Sequence, residues 1–192
     1  MSHHLDKLIH LFTSILPISS KEVALIHQLS QVQSLQKRAQ YSAYGSICKK
    51  IGFVSEGIFK VVRTNAQGQD FIPYFITEGH FAVDLESFTQ QTFSEENIVT
   101  LTPCTVVTID KKHFDLFENE VANFSKIISH LKEKALLEKH RLKSEMLIDD
   151  AVTRYQKLRL RHPAIIQQVS QNHIAQYLGI SPYTLSRIRA HS

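Results

Sequence analysis

"IAQYLGISPYTLSRIR", residues 174–189, carries two short apolar patterns that meet at Gly179. Ile174 and Leu178 stand one helical turn apart, and the small Ala175 beside them lets a second helix cross closely. Gly179 suits the left-handed conformation that ends a helix, with Ile180 turning inward over the junction. Ser181 is a good N-cap, and Pro182 a good first helical residue because the N–H it lacks would be unpaired there. Leu185 and Ile188 point back to the core, leaving Tyr183, Thr184, Ser186, Arg187 and Arg189 as the outward residues of a second helix. Six positions are fixed at once, the pattern of a DNA-binding helix-turn-helix, with a generic helical hairpin as the plainer alternative.

In such a unit Arg187 is suited to donate two hydrogen bonds to a guanine edge, and Thr184, Ser186 and Ser170 to reach phosphate oxygens. Gln171, at the start of the first helix, joins this candidate set. Tyr183 has two roles open to it, contact with a thymine methyl or packing on the first helix. The charge distribution agrees. Residues 1–120 hold 10 Lys/Arg against 13 Asp/Glu, net −3, whereas residues 121–192 hold 12 against 5, net +7. Residues 151–192 carry six Arg/Lys and no carboxylate. A positive field confined to one end suits a polyanion, although a solvated helix face gives the same composition.

At 192 residues with 43% hydrophobic content, the chain has ample material for a packed core. No run approaches the roughly 18 apolar residues of a membrane span. "MSHHLDKLIHLF" lacks the basic start and small-residue cleavage site of a secretory signal, so the expected location is the cytoplasm, with no membrane partner. Cys48 and Cys104 have neither CxxC spacing nor a Cys/His cluster nearby, which argues for buried free thiols and against zinc, iron–sulfur or any other cofactor.

Residues 5–16 and 20–30 have helical spacing, interrupted at Pro17. From about 34 to 110 the pattern changes to short β-branched and aromatic runs, and five of the six glycines fall there, which predicts a small β-barrel or sandwich. "TNAQGQD" reads as a hairpin loop. From Phe117 to Met146 there is no Gly or Pro, and Phe124, Ile128, Leu131, Ala135 and Leu142 recur at steps of 4, 3, 4 and 7. That stripe is a heptad seam for pairing two copies, or equally the face of a helix packed on its own barrel; Glu138 interrupts it. Asp149 and Asp150 fall near the start of a further helical segment that Pro163 closes.

With a β-rich unit, a long helix and a terminal helix-turn-helix in that order, the chain resembles the Crp/Fnr family of bacterial transcription regulators, over nearly its whole length. "FVSEGIFKVV" is similar to the family's strand–Gly–strand signature and "HIAQYLGISPYTLSRIR" to its DNA-reading unit. The resemblance implies an α+β fold: a double-stranded β-helix (jelly-roll-like) sensor barrel with flanking helices over 1–117, a dimerisation helix and linker over 118–147, and an all-α helix-turn-helix domain over 148–192. It implies that Arg187 reads a base and Thr184 contacts phosphate. Pro182 and Tyr183 replace the Arg–Glu pair of the catabolite activator, so that protein's operator does not transfer.

Cyclic-nucleotide-binding members use a Gly–Glu pair and a nearby Arg. Here Ala82 and Val83 stand where Gly–Glu is expected, and Glu95, Glu96 and Asn97 where the Arg should come. Between Arg63 and Lys111 there is no Lys or Arg and there are seven carboxylates, which reverses the charge a cyclic phosphate needs. Arg63, Asp84 and Glu86 are the remaining pocket candidates; the acidic pair suits a cationic or hydroxyl-rich ligand, or is simply exposed on a loop. His80 reads as a surface or turn residue, with none of the partners that a cupin-type enzyme would need to hold a metal. The expectation is a homodimeric regulator, not an enzyme, that reads a pseudo-palindromic site in double-stranded DNA. It answers to an unknown small-molecule effector or to none, and cAMP does not control it. The alternative is a ligand-binding or protein-interaction module whose helix-turn-helix no longer reads DNA.

Overall fold

Two helices open the chain, α1 (Ser2–Ile15) and α2 (Ser20–Leu29), in a computed structural model that describes residues 2–191. Ser19 starts the second with a full capping box: its hydroxyl accepts from the Glu22 amide, and the Glu22 carboxylate accepts from the Ser19 amide at 2.7 Å. Leu5, Leu8, Phe12 and Ile26 are buried on the inner faces of this pair.

Among the described residues nine strands follow: β1 (Gln31–Leu35), β2 (Gln40–Ser42), β3 (Lys50–Glu56), β4 (Phe59–Thr64), β5 (Asp70–Phe71), β6 (Phe75–Ile76), β7 (Phe81–Ala82), β8 (Asn97–Thr100) and β9 (Cys104–Asp110). They form two antiparallel sheets, ordered β1-β9-β3-β7 and β2-β8-β4-β5, with β6 also paired to β4. The short helix α3 (Leu85–Gln90) lies between β7 and β8. Val54, Phe59, Val61, Ile98 and Val106 fill the space between the sheets. On the other face of β3 and β9, Ile51, Phe53, Val107 and Ile109 pack with the flanking helices. Because side chains alternate along a strand, these two central strands are buried on both sides and read as near-continuous apolar runs. Gly57, between β3 and β4, has φ +97°, and a Cβ there would stand 2.5 Å from Cys104 Sγ and 2.6 Å from the Pro103 carbonyl oxygen. The hairpin predicted at "TNAQGQD" joins β4 to β5, with the Asn65 side chain accepting from the amides of Gln67 and Gln69. Cys48 and Cys104 are both free and buried.

The stretch from 111 to 148 corrects one expectation. It is not a helix running unbroken from about residue 118: α4 (Lys111–Glu120) ends before a short turn, and α5 (Phe124–Ile148) begins after it. The turn is held from the far end of the chain. The Ala122 amide donates to the Glu22 carboxylate at 2.6 Å, and the Asn123 side chain donates to the Pro17 carbonyl at 2.8 Å. Phe124 then plugs an aromatic cluster, with ring centroids 5.8, 5.1 and 5.5 Å from Phe12, Phe114 and Phe117.

The last four helices among the described residues are α6 (Ala151–Arg161), α7 (Pro163–Gln168), α8 (Gln171–Leu178) and α9 (Pro182–Ala190). Asp150 caps α6 by accepting from the Thr153 amide at 2.8 Å. Pro163 does more than close α6; it is the first residue of α7, a helix too short for periodicity to reveal. The architecture is the α+β jelly-roll with flanking helices, long helix and terminal helical unit that the resemblance implied.

Candidate functional site

The terminal unit has the geometry its spacing predicts. Gly179 ends α8 at φ +66°, and the Ile180 amide returns to the Ala175 carbonyl at 3.0 Å. Ser181 caps α9 by accepting from the Thr184 amide at 3.0 Å, and Pro182 opens it. Ile174, Ala175, Leu178, Leu185 and Ile188 are all buried in one cluster. Tyr183, Ser186 and Arg187 share the face of α9 opposite Leu185 and Ile188, with Arg189 on its flank; all four are exposed. Tyr183 is 73% exposed and does not pack against the first helix. Thr184 is half-buried with its hydroxyl 2.9 Å from that of Ser181, and Ser170 caps α8 by accepting from the His173 amide, with Gln171 exposed beside it. Every basic side chain on α9 therefore faces water.

This unit is docked on the barrel through α8. Ile58 and Leu101 of the barrel join its apolar cluster, the Phe75 and Tyr177 rings lie 5.0 Å apart, and the Lys60 ammonium donates to His173 Nε2 at 3.0 Å. Burial first, and then Lys60, holds the His173 pKa below the usual histidine range. The joint between α5 and α6 is fastened by Arg161, which donates two hydrogen bonds of 2.7 Å to the Glu145 carboxylate, and by Lys157, which lies 2.6 Å from Asp149.

In the barrel, the stretch that the resemblance matches to a cyclic-phosphate site carries the chain's own acids. Asp84 is no exposed loop carboxylate: it is 9% exposed, caps α3 through the Ser87 amide at 3.1 Å, and accepts the Ser94 hydroxyl at 2.7 Å. Glu86 is exposed. Arg63 is engaged, its Nη2 donating to Glu95 at 2.8 Å and its Nε lying 3.8 Å from Glu96. Glu96 accepts from the Tyr74 hydroxyl at 3.2 Å, and burial, then the neighbouring Asp84, raises its pKa. From α5, Lys139 Nζ lies 4.2 Å from the centre of the Tyr74 ring. Burial lowers the Lys139 pKa, although the side chain keeps access to solvent where it borders an open groove between α5 and the barrel. The sequence does not reveal this Tyr74–Glu96–Lys139 arrangement, since its three parts are dispersed over 66 residues of chain.

The α5 stripe faces inward. Phe124 and Ile128 are buried in their own chain's core, Leu131 packs half-buried against it, and Ala135 and Leu142 line a void beside the barrel. Glu138, the polar interruption in that stripe, lies 3.5 Å from Nε2 of His80 at a barrel turn, so the break in the pattern was the one legible signal of a contact there. The outward apolar residues of α5 are Leu136, Leu137, Leu147 and Ile148.

Among the described residues no group of three His, Cys, Asp or Glu is placed to hold a metal, and no helix is long and apolar enough to cross a membrane. Residues 33–119 match the cyclic nucleotide-binding domain family. A comparison with curated protein sequences gives no match. Among solved structures, the c-di-GMP-responsive global regulator CLP of Xanthomonas campestris is 15% identical, with a TM-score of 0.70 over 90% of this chain and 91% of that one. FixK2 of Bradyrhizobium japonicum is 12% identical, with a TM-score of 0.71 over 84% and 83%. A structure from Eubacterium rectale described as a transcriptional regulator of the Crp/Fnr family is 12% identical, with a TM-score of 0.69 over 90% and 82%. Residues 33–119 thus match the cyclic nucleotide-binding domain family, in a chain whose fold is similar to that of these solved structures.

Proposed function

We propose that the chain is a sequence-specific DNA-binding transcription regulator that acts as a homodimer and is not controlled by cAMP. The observation that carries the reading is the exposed, carboxylate-free face of α9, with Arg187 at its centre and Ser170 and Thr184 at the two helix N-termini. Arg187 reads a base edge in the major groove, and Ser170, Gln171, Thr184, Ser186 and Arg189 meet backbone phosphates. Tyr183, exposed beside Arg187, contacts a thymine methyl.

The pairing surface is the outward side of α5. Glu133, Leu137, His140, Ser144 and Leu147 follow steps of 4, 3, 4 and 3, a heptad seam on the face opposite Phe124 and Ile128, with Leu136 and Ile148 along its edges. The seam is part polar, so Leu137→Lys separates the copies in sedimentation at micromolar protein. Independence from cAMP is supported by the barrel, where Arg63 is committed to Glu95 and the carboxyl groups of Asp84 and Glu96 are unfavourable neighbours for a phosphate. Anisotropy titrations of a labelled duplex at rising salt test the reading: affinity should fall steeply with salt, because several Lys and Arg displace counterions, and added cAMP should leave it unchanged. Duplex binding that is absent at low salt, or appears only with cAMP, contradicts it.

A further inference from the structure

Residues 1–120 are net −3, yet the place where the barrel meets α8 is cationic. There Lys60 of β4 donates to His173 Nε2 at 3.0 Å. Lys37, in the turn between β1 and β2, acts on the same imidazole: burial, then Lys60, then Lys37 lowers the His173 pKa. The turn is held on the strand ends that dock α8. The Arg38 amide donates to the Thr100 carbonyl at 3.0 Å and the Ala39 amide to the Thr100 hydroxyl at 2.8 Å, while Thr100 is the register partner of Phe59, the residue before Lys60. Ile58 and Leu101, the next residues on these two segments, belong to the apolar cluster of α8.

The acids nearby do not pair with these charges. Asp70, the carboxylate that acts on Lys60, accepts from the Thr64 hydroxyl at 2.6 Å, and neither Lys37 nor Lys60 makes an ion pair among the described residues. On the other side of the contact, residues 151–192 contain no carboxylate. Lys37 and Arg38 are exposed, and Lys60 and His173 are half-buried. The hydrogen bond to a neutral imidazole positions Lys60 but leaves its charge uncompensated, and it gives Lys37 no part. Cations gathered without a counter-charge repel one another, and an anion set among them removes that cost.

What lies beside the cluster selects the anion. His173 is three residues from Ser170 and two from Gln171, the α8 residues assigned above to backbone phosphates, and phosphates follow one another at about 3.4 Å of helix axis along each strand. The first helix of such a unit crosses the backbone, so side chains placed beyond its start meet phosphates outside the half-site. We propose that Lys37 and Lys60 extend the DNA surface onto the barrel, each contacting a backbone phosphate of the duplex that flanks the half-site read by α9. This rests on the DNA-reading role of α9 and adds to it a sequence-independent contact made by the barrel itself.

Anisotropy titrations of the full chain over a range of salt test the contact on two labelled duplexes carrying one site selected from a random pool. One is trimmed to the two half-sites, and the other is longer by about 10 bp, one helical turn, on each side. Wild type should bind the longer duplex more tightly and with the steeper salt dependence. Lys37→Gln/Lys60→Gln should reduce the slope of log affinity against log salt on the longer duplex by about 1.8 per subunit, since each phosphate contact contributes about 0.9, and should match wild type on the trimmed one. Lys37→Gln alone, at an exposed side chain with no hydrogen bond among the described residues, should reduce it by about 0.9 per subunit, and Lys60→Arg, which keeps the charge, should leave it unchanged. An unchanged slope in the double variant, or equal losses on both duplexes, overturns the proposal and leaves Lys60 as a docking residue only. Wild-type binding that ignores the flanks removes the barrel contact and leaves the α9 reading intact, whereas a chain that binds neither duplex removes both.

Discussion

The terminal helix pair and the barrel bring side chains together in opposite ways. In the pair, contacts close within a few residues: Ile180 returns to Ala175, Thr184 to Ser181, and His173 to Ser170. In the barrel they close over tens of residues, as when the Cys48 amide donates to Ser87 Oγ, Tyr74 to Glu96, or the long helix lays Lys139 over Tyr74. Local closure makes the terminal unit depend on spacing, and spacing is what a sequence displays. Distant closure makes the barrel's chemistry depend on register, which pattern alone does not specify.

The largest effects should come from cutting the core of each region in turn. Phe124→Ala removes the ring at the centre of the aromatic cluster and should cost about 3–5 kcal/mol, while Leu185→Ala, fully buried between α8 and α9, should cost about 2–5 kcal/mol. If the regions unfold as one unit, calorimetry shows a single transition shifted by either variant. Two transitions, each moved by one variant, would show that the Ile58–Leu101 contact with the terminal unit is weak.

Arg187→Ala should cost about 1–3 kcal/mol in affinity for the preferred duplex and leave binding to random duplex nearly unchanged, because a base contact is lost and few phosphate contacts are. Equal losses on both duplexes would demote Arg187 to a phosphate contact.

The smallest effect concerns the dock between the regions. The His173 pKa is depressed, so its contact with Lys60 is present above the ordinary histidine range and lost as pH falls through the lowered value, when two cations would stand 3.0 Å apart. Protection of the α8 amides, measured relative to their intrinsic exchange rates at each pH, should fall on acidification from pH 8 to pH 5, and His173→Gln should flatten that dependence. A dependence that persists in the variant would assign it to another group, with His162, also depressed by burial, the first to examine.

The same contrast explains how much was readable beforehand. The helix-turn-helix, its caps and its buried set were legible down to single residues, since Gly179, Ser181 and Pro182 each have a local reason to be where they are. The barrel was legible as a class, from short β-branched runs and glycine placement, but not as a site. The α5 stripe shows why: a heptad pattern states that one face is apolar and says nothing of what covers it. Phe124 and Ile128 are covered by their own chain, and the break before Phe124 is held by Glu22 and Asn123 contacts with residues about 100 positions away. Asp84 was similarly ambiguous, because only the fold brings Ser94 to its carboxylate.

Selection of binding sites from a random duplex pool by the full chain, at moderate salt and without cyclic nucleotide, tests the central claim most directly. The account predicts enrichment of a pseudo-palindrome with half-sites about one DNA turn apart, roughly 34 Å, as two α9 helices on a two-fold axis require. A pool that remains random, or a motif with no internal symmetry, would contradict it.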